Sequence, residues 1–160
     1  MKRNALFILS CLTLTAAIFL ACTAGPQPEA ESTAEAVPAT DGVFLHVSSG
    51  PENPHRVLMA MKMAEVMKAD RDVLMYFDIE GVHVLLADSA NLEHEGFTAS
   101  DEQIAKLLEL GVPIFACPSC LAAAGKAPED LREGIQVANK DAFFSFTDGR
   151  ILTLNYRTWG

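Results

Sequence analysis

Two cysteines separated by two residues, in the run Cys117-Pro118-Ser119-Cys120, form the most reactive arrangement in this chain. They follow the apolar run Val112 to Ala116 and precede the small-residue stretch Leu121 to Ala124, which Gly125 closes. That places the pair where a buried strand gives way to a short helix. Backbone N–H groups at a helix start stabilise a thiolate, so the spacing predicts a lowered pKa for Cys117. Cys120, one helical turn on, is positioned to attack a sulfur atom carried on Cys117, and Pro118 stiffens the turn between them. The chemistry is disulfide or persulfide exchange, with Cys117 as nucleophile and Cys120 as resolving thiol. Two other uses fit the same spacing. An oxidised pair could be an inert staple, although it closes too small a loop to add much stability. The pair could also supply half of a zinc site, but no second pair completes it.

The other chemically capable side chains are less organised. The histidines His46, His55, His83 and His94 have no metal-ligand spacing among themselves. His46 falls at a strand end and could approach the thiols. Met59, Met63 and Met67 fall on one helical face, which reads as core filling rather than as a copper site, and Met61 points elsewhere. Glu93, Glu95, Asp101 and Glu102 bracket a loop and read as a solvated face. Ser48-Ser49-Gly50 before a helix offers a weak anion-binding signal. There is no glycine-rich phosphate loop, and neither a cofactor nor a metal is assigned.

The elements that must hold the thiols alternate along residues 42–160. Val43 to Ser48 and Asp72 to Ile79 read as buried strands, and Asn53-Pro54 caps a helix running to about Ala69 with Leu58, Met59, Met63, Val66 and Met67 on its apolar face. Val82 to Ala87 fits a short helix or a strand, and Asp88 to Ala99 is a loop. Ser100 with Gln103 reads as a capping box for a helix that stops at Gly111. Val112 to Ala116 is the third strand, Pro128 to Arg132 a helical turn and Ile135 to Ala138 the fourth strand. For the last stretch two patterns compete. Asp148-Gly149 signals a hairpin, whereas Asn139 capping a helix over Lys140 to Thr147 leaves Arg150 to Tyr156 as a fifth strand. The alternation favours the second, an α/β domain with a mostly parallel sheet covered on both faces. Ligands of such sheets bind beyond the carboxyl ends of strands, where Cys117 lies. A thioredoxin-like fold fits poorly, because the pair comes after three strands and Pro128 is too near it to face it.

Ahead of the domain, Lys2 and Arg3 precede an apolar run from Ala5 to Ala21, the pattern of a signal peptide over residues 1–21. Leu20-Ala21-Cys22 resembles a lipobox, which makes Cys22 the lipidated residue. Residues 22–41, rich in Ala, Pro, Glu, Ser and Thr, read as a disordered tether. Thr23 after the cysteine resembles outer-membrane sorting. The expected location is the cell envelope, facing the periplasm or exterior. The full chain carries 12 basic and 21 acidic residues, net −9, and loss of Lys2 and Arg3 makes it −11. So acidic a chain has no basic cluster to displace phosphate counterions, which excludes nucleic acid as a partner.

Several stretches in this order resemble the DsrE/DsrF-like family: Leu45 to Pro54, Asp72 to Phe77 with Glu80-Gly81-Val82, Gly111 to Cys117 running on to Gly125, and Ile135 to Asn139 followed by Arg150 to Thr153. The resemblance implies a flavodoxin-like three-layer fold with five strands and a homotrimer or homohexamer. It also implies that Cys117, the position matching the family's sulfur-carrier cysteine, can hold a persulfide received from a donor protein and passed to an acceptor. Family carriers often have Arg before the glycine matching Gly125, where this chain has Ala123-Ala124. Aromatics in the terminal segment, Phe143, Phe144, Phe146, Tyr156 and Trp159, are candidates for the subunit interface.

Overall fold

The computed structural model describes residues 39–157, so the signal segment, Cys22 and Trp159 lie outside the described residues. Five strands, β1 (Gly42–Val47), β2 (Asp72–Phe77), β3 (Ile114–Ala116), β4 (Gln136–Val137) and β5 (Ile151–Tyr156), form one sheet in the order β4-β3-β2-β1-β5. Every pairing is parallel. Three α-helices connect them: α1 (Pro54–Met67), α2 (Ser100–Glu109) and α3 (Pro118–Ala123). Short 3-10 turns cover Ile79–Leu85, Pro128–Asp130 and Lys140–Phe143. The architecture is the expected flavodoxin-like α/β fold. The hairpin is excluded, since Ile151–Tyr156 runs parallel to β1. Val82 to Ala87 resolves as the end of a 3-10 turn, with Leu86 bridging to Leu131.

The sheet is covered unevenly. From β1 to β4 the chain steps one way across the sheet, and right-handed crossovers put all three α-helices on one face. The odd-numbered side chains Val43, Leu45, Val47, Val73, Met75 and Phe77 point into that layer and are buried. The return from β4 to β5 runs the other way, so it crosses the opposite face, and it contributes only the 3-10 turn over Lys140–Phe143. Phe143 packs edge-on against Phe44 and Tyr76, at ring-centroid distances of 5.4 and 5.0 Å. The third layer is therefore a single short turn. Phe44, His46 and Tyr76 stay only half-buried, and Phe144 stands exposed beside them.

Helix α1 begins where expected, with the Asn53 side chain accepting from the Arg56 N–H at 3.3 Å. Its buried stripe is different from the expected one. Val57, Leu58, Ala60, Met61 and Ala64 face the core, while Met59 and Val66 are exposed and Met63 and Met67 pack at the margin. Met61, expected to point away, is fully buried. The small side chains of Ala60 and Ala64 let this face approach the sheet closely, and close packing outweighs the bulk of the methionine face.

The capping box of α2 is also replaced. Ser100 is already helical and buried. Its hydroxyl accepts from the Leu92 N–H at 2.8 Å and donates to Asn91 Oδ1, which itself caps the Asp101 N–H at 3.0 Å. Gln103 is buried and donates to Glu65 on α1 at 3.0 Å instead of turning back to its own helix start. Glu65 also accepts from Lys106 at 2.7 Å and Lys62 at 3.2 Å. These bonds, that from Lys106 foremost, hold its carboxyl at about 2. A tertiary clamp between α1 and α2 has displaced a local cap. The other end of α2 agrees with expectation, with Gly111 left-handed at φ 71°.

Candidate thiol site

The sheet register assembles the site. His46 of β1 stands opposite Tyr76 of β2 and Asn155 of β5, and Tyr76 stands opposite Phe115 of β3. One pleat further on come Ser48, Asp78 and Cys117, each just past its strand end. Side chains two apart share a face, so these polar groups all emerge on the thinly covered side of the sheet at its carboxyl edge. The Cys117 N–H donates to the Phe77 carbonyl at 2.8 Å, carrying the β2–β3 ladder up to the first thiol. Cys117 then caps α3, with Pro118 at the first helical position.

Both cysteines are free thiols, half-buried, and each sulfur shifts the pKa of the other. Burial alone raises the pKa of Cys117. The Tyr76 hydroxyl, the backbone N–H groups of Cys120 and Ser119, and the Cys120 thiol outweigh that penalty, and the net shift is downward. Cys120 moves the other way. Burial raises it, and the Cys117 sulfur and the Asp78 carboxylate raise it further, against one lowering bond from the Ile79 N–H. Partial burial, foremost, and the neighbouring Cys117 push the Tyr76 phenol far above its usual value, so it stays a donor. The two shifts run in opposite directions, Cys117 toward the thiolate and Cys120 away from it. The helix start is only part of the cause at Cys117, and Tyr76 and the Cys120 thiol add to it.

Ile79 holds an unusual backbone for a β-branched residue, with φ at 48°. That left-handed conformation costs of order 1–3 kcal/mol, and here it accompanies the N–H bond to the Cys120 sulfur. Ile79, Glu80, His83, Cys120, Ala123 and Ala124 line an open depression of about 320 Å³, so Cys120 faces a space that a small molecule or peptide can enter.

A second polar group adjoins the thiols. His46 Nε2 lies 2.8 Å from Asp78 Oδ2, and His46 Nδ1 lies 2.9 Å from Asn155 Oδ1. The Ser48 hydroxyl donates to Asp78 Oδ1 at 2.6 Å and sits 3.2 Å from His46 Nε2. Of the four histidines, the sequence ties only His46 to the thiols, and the structure places it against Asp78 and opposite Tyr76 in the sheet. The sequence reading does not reach Tyr76, Asp78 or Asn155, and it reaches Ser48 only as part of a weak anion signal. The available signal was their alternation with buried residues near strand ends. His55 and His94 stack on each other at 4.2 Å elsewhere. Among the described residues, no three His, Cys, Asp or Glu side chains are arranged to hold a metal, and no helix is long and apolar enough to cross a membrane. The anion signal at Ser48-Ser49-Gly50 is taken up internally, because Glu52 accepts the Gly50 N–H at 2.9 Å.

These features define a parallel α/β protein with a polarised dithiol at the carboxyl edge of its sheet. Residues 41–148 match the DsrE/DsrF-like family, and the chain belongs to that family. Membership suggests a sulfur-relay-related function. Among solved structures it is similar to the protein of unknown function MTH1491 from Methanobacterium thermoautotrophicum, at 21% identity and TM-score 0.52, covering 72% of this chain and 99% of that one. It is also similar to the ychN protein from E. coli, at 14% identity and TM-score 0.56, covering 71% of this chain and 99% of that one. Identities this low speak to the fold. Comparison with curated proteins gives no match.

Proposed function

We propose that this protein carries sulfur as a persulfide on Cys117, with Cys120 as the resolving thiol. The observation that supports it best is the seating of the pair at the carboxyl edge of the parallel sheet, Cys117 just past β3 and Cys120 in the helix that follows, with the Tyr76 hydroxyl helping to lower the Cys117 pKa. In loading, the Cys117 thiolate attacks the outer sulfur of a persulfide or polysulfide donor. A new S–S bond forms on Cys117, the donor's S–S bond breaks, and the donor leaves as a thiolate. Intact mass spectrometry after exposure to polysulfide tests this. One added sulfur that disappears with a thiol reductant is expected. No added sulfur, with equal and slow alkylation of both cysteines, would support a non-catalytic module that holds a metal or a partner at the pair.

The export segment, Leu20-Ala21-Cys22 and the following tether support a lipid anchor on Cys22 in the cell envelope. Cys22→Ser is expected to move the protein from the membrane fraction to the soluble one. If the wild type is already soluble, simple secretion replaces the anchor. Self-association into a trimer or hexamer is supported by the thin third layer, where Phe144 stands exposed beside the half-buried Phe44, Tyr76 and Phe143. Light scattering on a chain starting at Asp41 tests it. A monomer at high micromolar concentration and moderate salt would leave those rings as the lid of a monomer.

A further inference from the structure

The open depression beside the thiols reaches only one of them. Its lining includes Cys120 and not Cys117. Around that sulfur, the exposed Ile79 and the small side chains of Ala123 and Ala124 offer an apolar surface with room for an aliphatic stem. The charge of the space comes from Glu80. Its side chain is 61% exposed, and His83, 3.9 Å away, offsets it only when protonated. Among the described residues that line the depression, none is Lys or Arg. Lys126, two residues past Ala124, is paired with Asp88 at 3.2 Å. The Asp78 carboxylate, just before the turn that carries Glu80, is taken by Ser48 and His46. Glu80 is thus the charge that an entering molecule meets beside Cys120.

We propose that this depression receives the thiol that reduces the oxidised Cys117–Cys120 pair, that the thiol attacks Cys120, and that Glu80 selects one carrying positive charge. The inference rests on the reading of Cys117 as carrier and Cys120 as resolving thiol. On that reading Cys120 displaces the carried sulfur as hydrosulfide, and the two cysteines are left as a disulfide, oxidised by two electrons. The incoming thiolate forms an S–S bond to Cys120 Sγ, the Cys117–Cys120 bond breaks, and Cys117 takes the electron pair. Cys117 is also the better leaving group, since its pKa is the lower of the two. A second reductant thiol then attacks the reductant's sulfur in the mixed disulfide. Cys120 leaves with the electron pair and takes up a proton. The reductant ends as a disulfide, oxidised by two electrons, and the cysteines end as a dithiol. An ammonium or guanidinium group near the attacking sulfur pairs with Glu80 while its stem lies on the apolar surface, and a carboxylate in the same place is repelled.

The test uses no persulfide, so its failure is separate from failure of the carrier assignment. The purified protein, oxidised with diamide, is reduced at neutral pH by cysteamine, mercaptoethanol or mercaptopropionate, which are cationic, neutral and anionic. Each rate is divided by that for the oxidised tetrapeptide of residues 117–120, which removes the intrinsic reactivity of the reagent. After that correction cysteamine is expected to outpace mercaptopropionate about fivefold at low salt, the combined effect of one exposed attraction and one exposed repulsion. Mercaptoethanol should fall between them. Glu80→Gln, and separately high salt in wild type, should bring the ratio within about twofold. A ratio near one in wild type, or one that survives in Glu80→Gln, overturns the selection. A lysine-flanked cysteine peptide set against a glutamate-flanked one identifies the source. The same preference there assigns a basic segment of a partner protein, and a preference confined to cysteamine assigns a small aminothiol. Acid quenching, alkylation and fragmentation of the intermediate should find cysteamine on Cys120, and cysteamine on Cys117 overturns the direction of attack.

Discussion

Cys117→Ser is expected to abolish sulfur loading and, with it, the fast alkylation of the native protein at neutral pH. The two losses have one cause, because the thiolate is both the nucleophile toward a sulfur donor and the species that iodoacetamide traps. In wild type the Cys117 pKa lies below the usual thiol value, so its alkylation rate should climb and level off at lower pH than that of an ordinary cysteine. Cys120 should follow at higher pH than an ordinary cysteine. Serine at 117 leaves Cys120 as the only labelled thiol of the domain and removes the neighbouring sulfur charge that helps raise it. The Cys120 profile should then move down toward the usual value, while the rate at neutral pH still falls at least ~10-fold below that of native Cys117. Peptide mapping with pH-dependent alkylation reads both effects. Equal rates at the two cysteines in wild type, or sulfur loading that survives in Cys117→Ser, would remove Cys117 from the role of carrier.

The dithiol was legible because both of its determinants are local: an apolar run that ends at Ala116 and a proline-started helix after it. The rest of the site is assembled by strand order. His46 and Asn155 are 109 residues apart and meet only because β5 returns to pair with β1 on the side away from β2. Asp72 to Phe77 is easily read as a buried strand, yet a buried-strand pattern does not say that Tyr76 and Asp78 emerge on the face that the crossovers leave thinly covered. The same limit explains α1 and α2. Bulk favoured the methionine face of α1, but the close approach allowed by Ala60 and Ala64 decided otherwise. Ser100 and Gln103 have the right types for a capping box, but Asn91 and Glu65 lay within reach in space and took their hydrogen bonds.

Gly50→Ala is expected to be among the most damaging single-methyl changes in the domain. The loop after β1 and the turn after β2 are pressed together: a methyl on Gly50 would overlap the Glu80 carbonyl, and one on Gly81 would overlap the Val47 carbonyl. Both obstacles are backbone, so no side-chain rotation relieves them. The two segments are also tied by the bond from the Asp78 N–H to the Val47 carbonyl at 3.2 Å, and the Gly81 N–H closes back on the Asp78 carbonyl at 2.7 Å. Forcing the loops apart should cost about 3 kcal/mol, within the range of backbone strain and overpacking. For a domain of this size that lowers Tm by roughly 10–20 °C. Gly96→Ala is the matched control. It has a left-handed backbone, at φ 82°, but nothing within 4 Å of an added methyl, so only the conformational cost of about 1 kcal/mol applies. The chemistry should change with the stability. The displaced turn carries Asp78 and Ile79, whose carboxylate and N–H act on Cys120, so in folded Gly50→Ala protein the Cys120 alkylation profile should drift toward that of a free thiol while the Tyr76 bond to Cys117 persists. Thermal melts of the two variants beside wild type decide the matter. If Gly50→Ala melts no lower than Gly96→Ala, the two loops are not held in backbone contact.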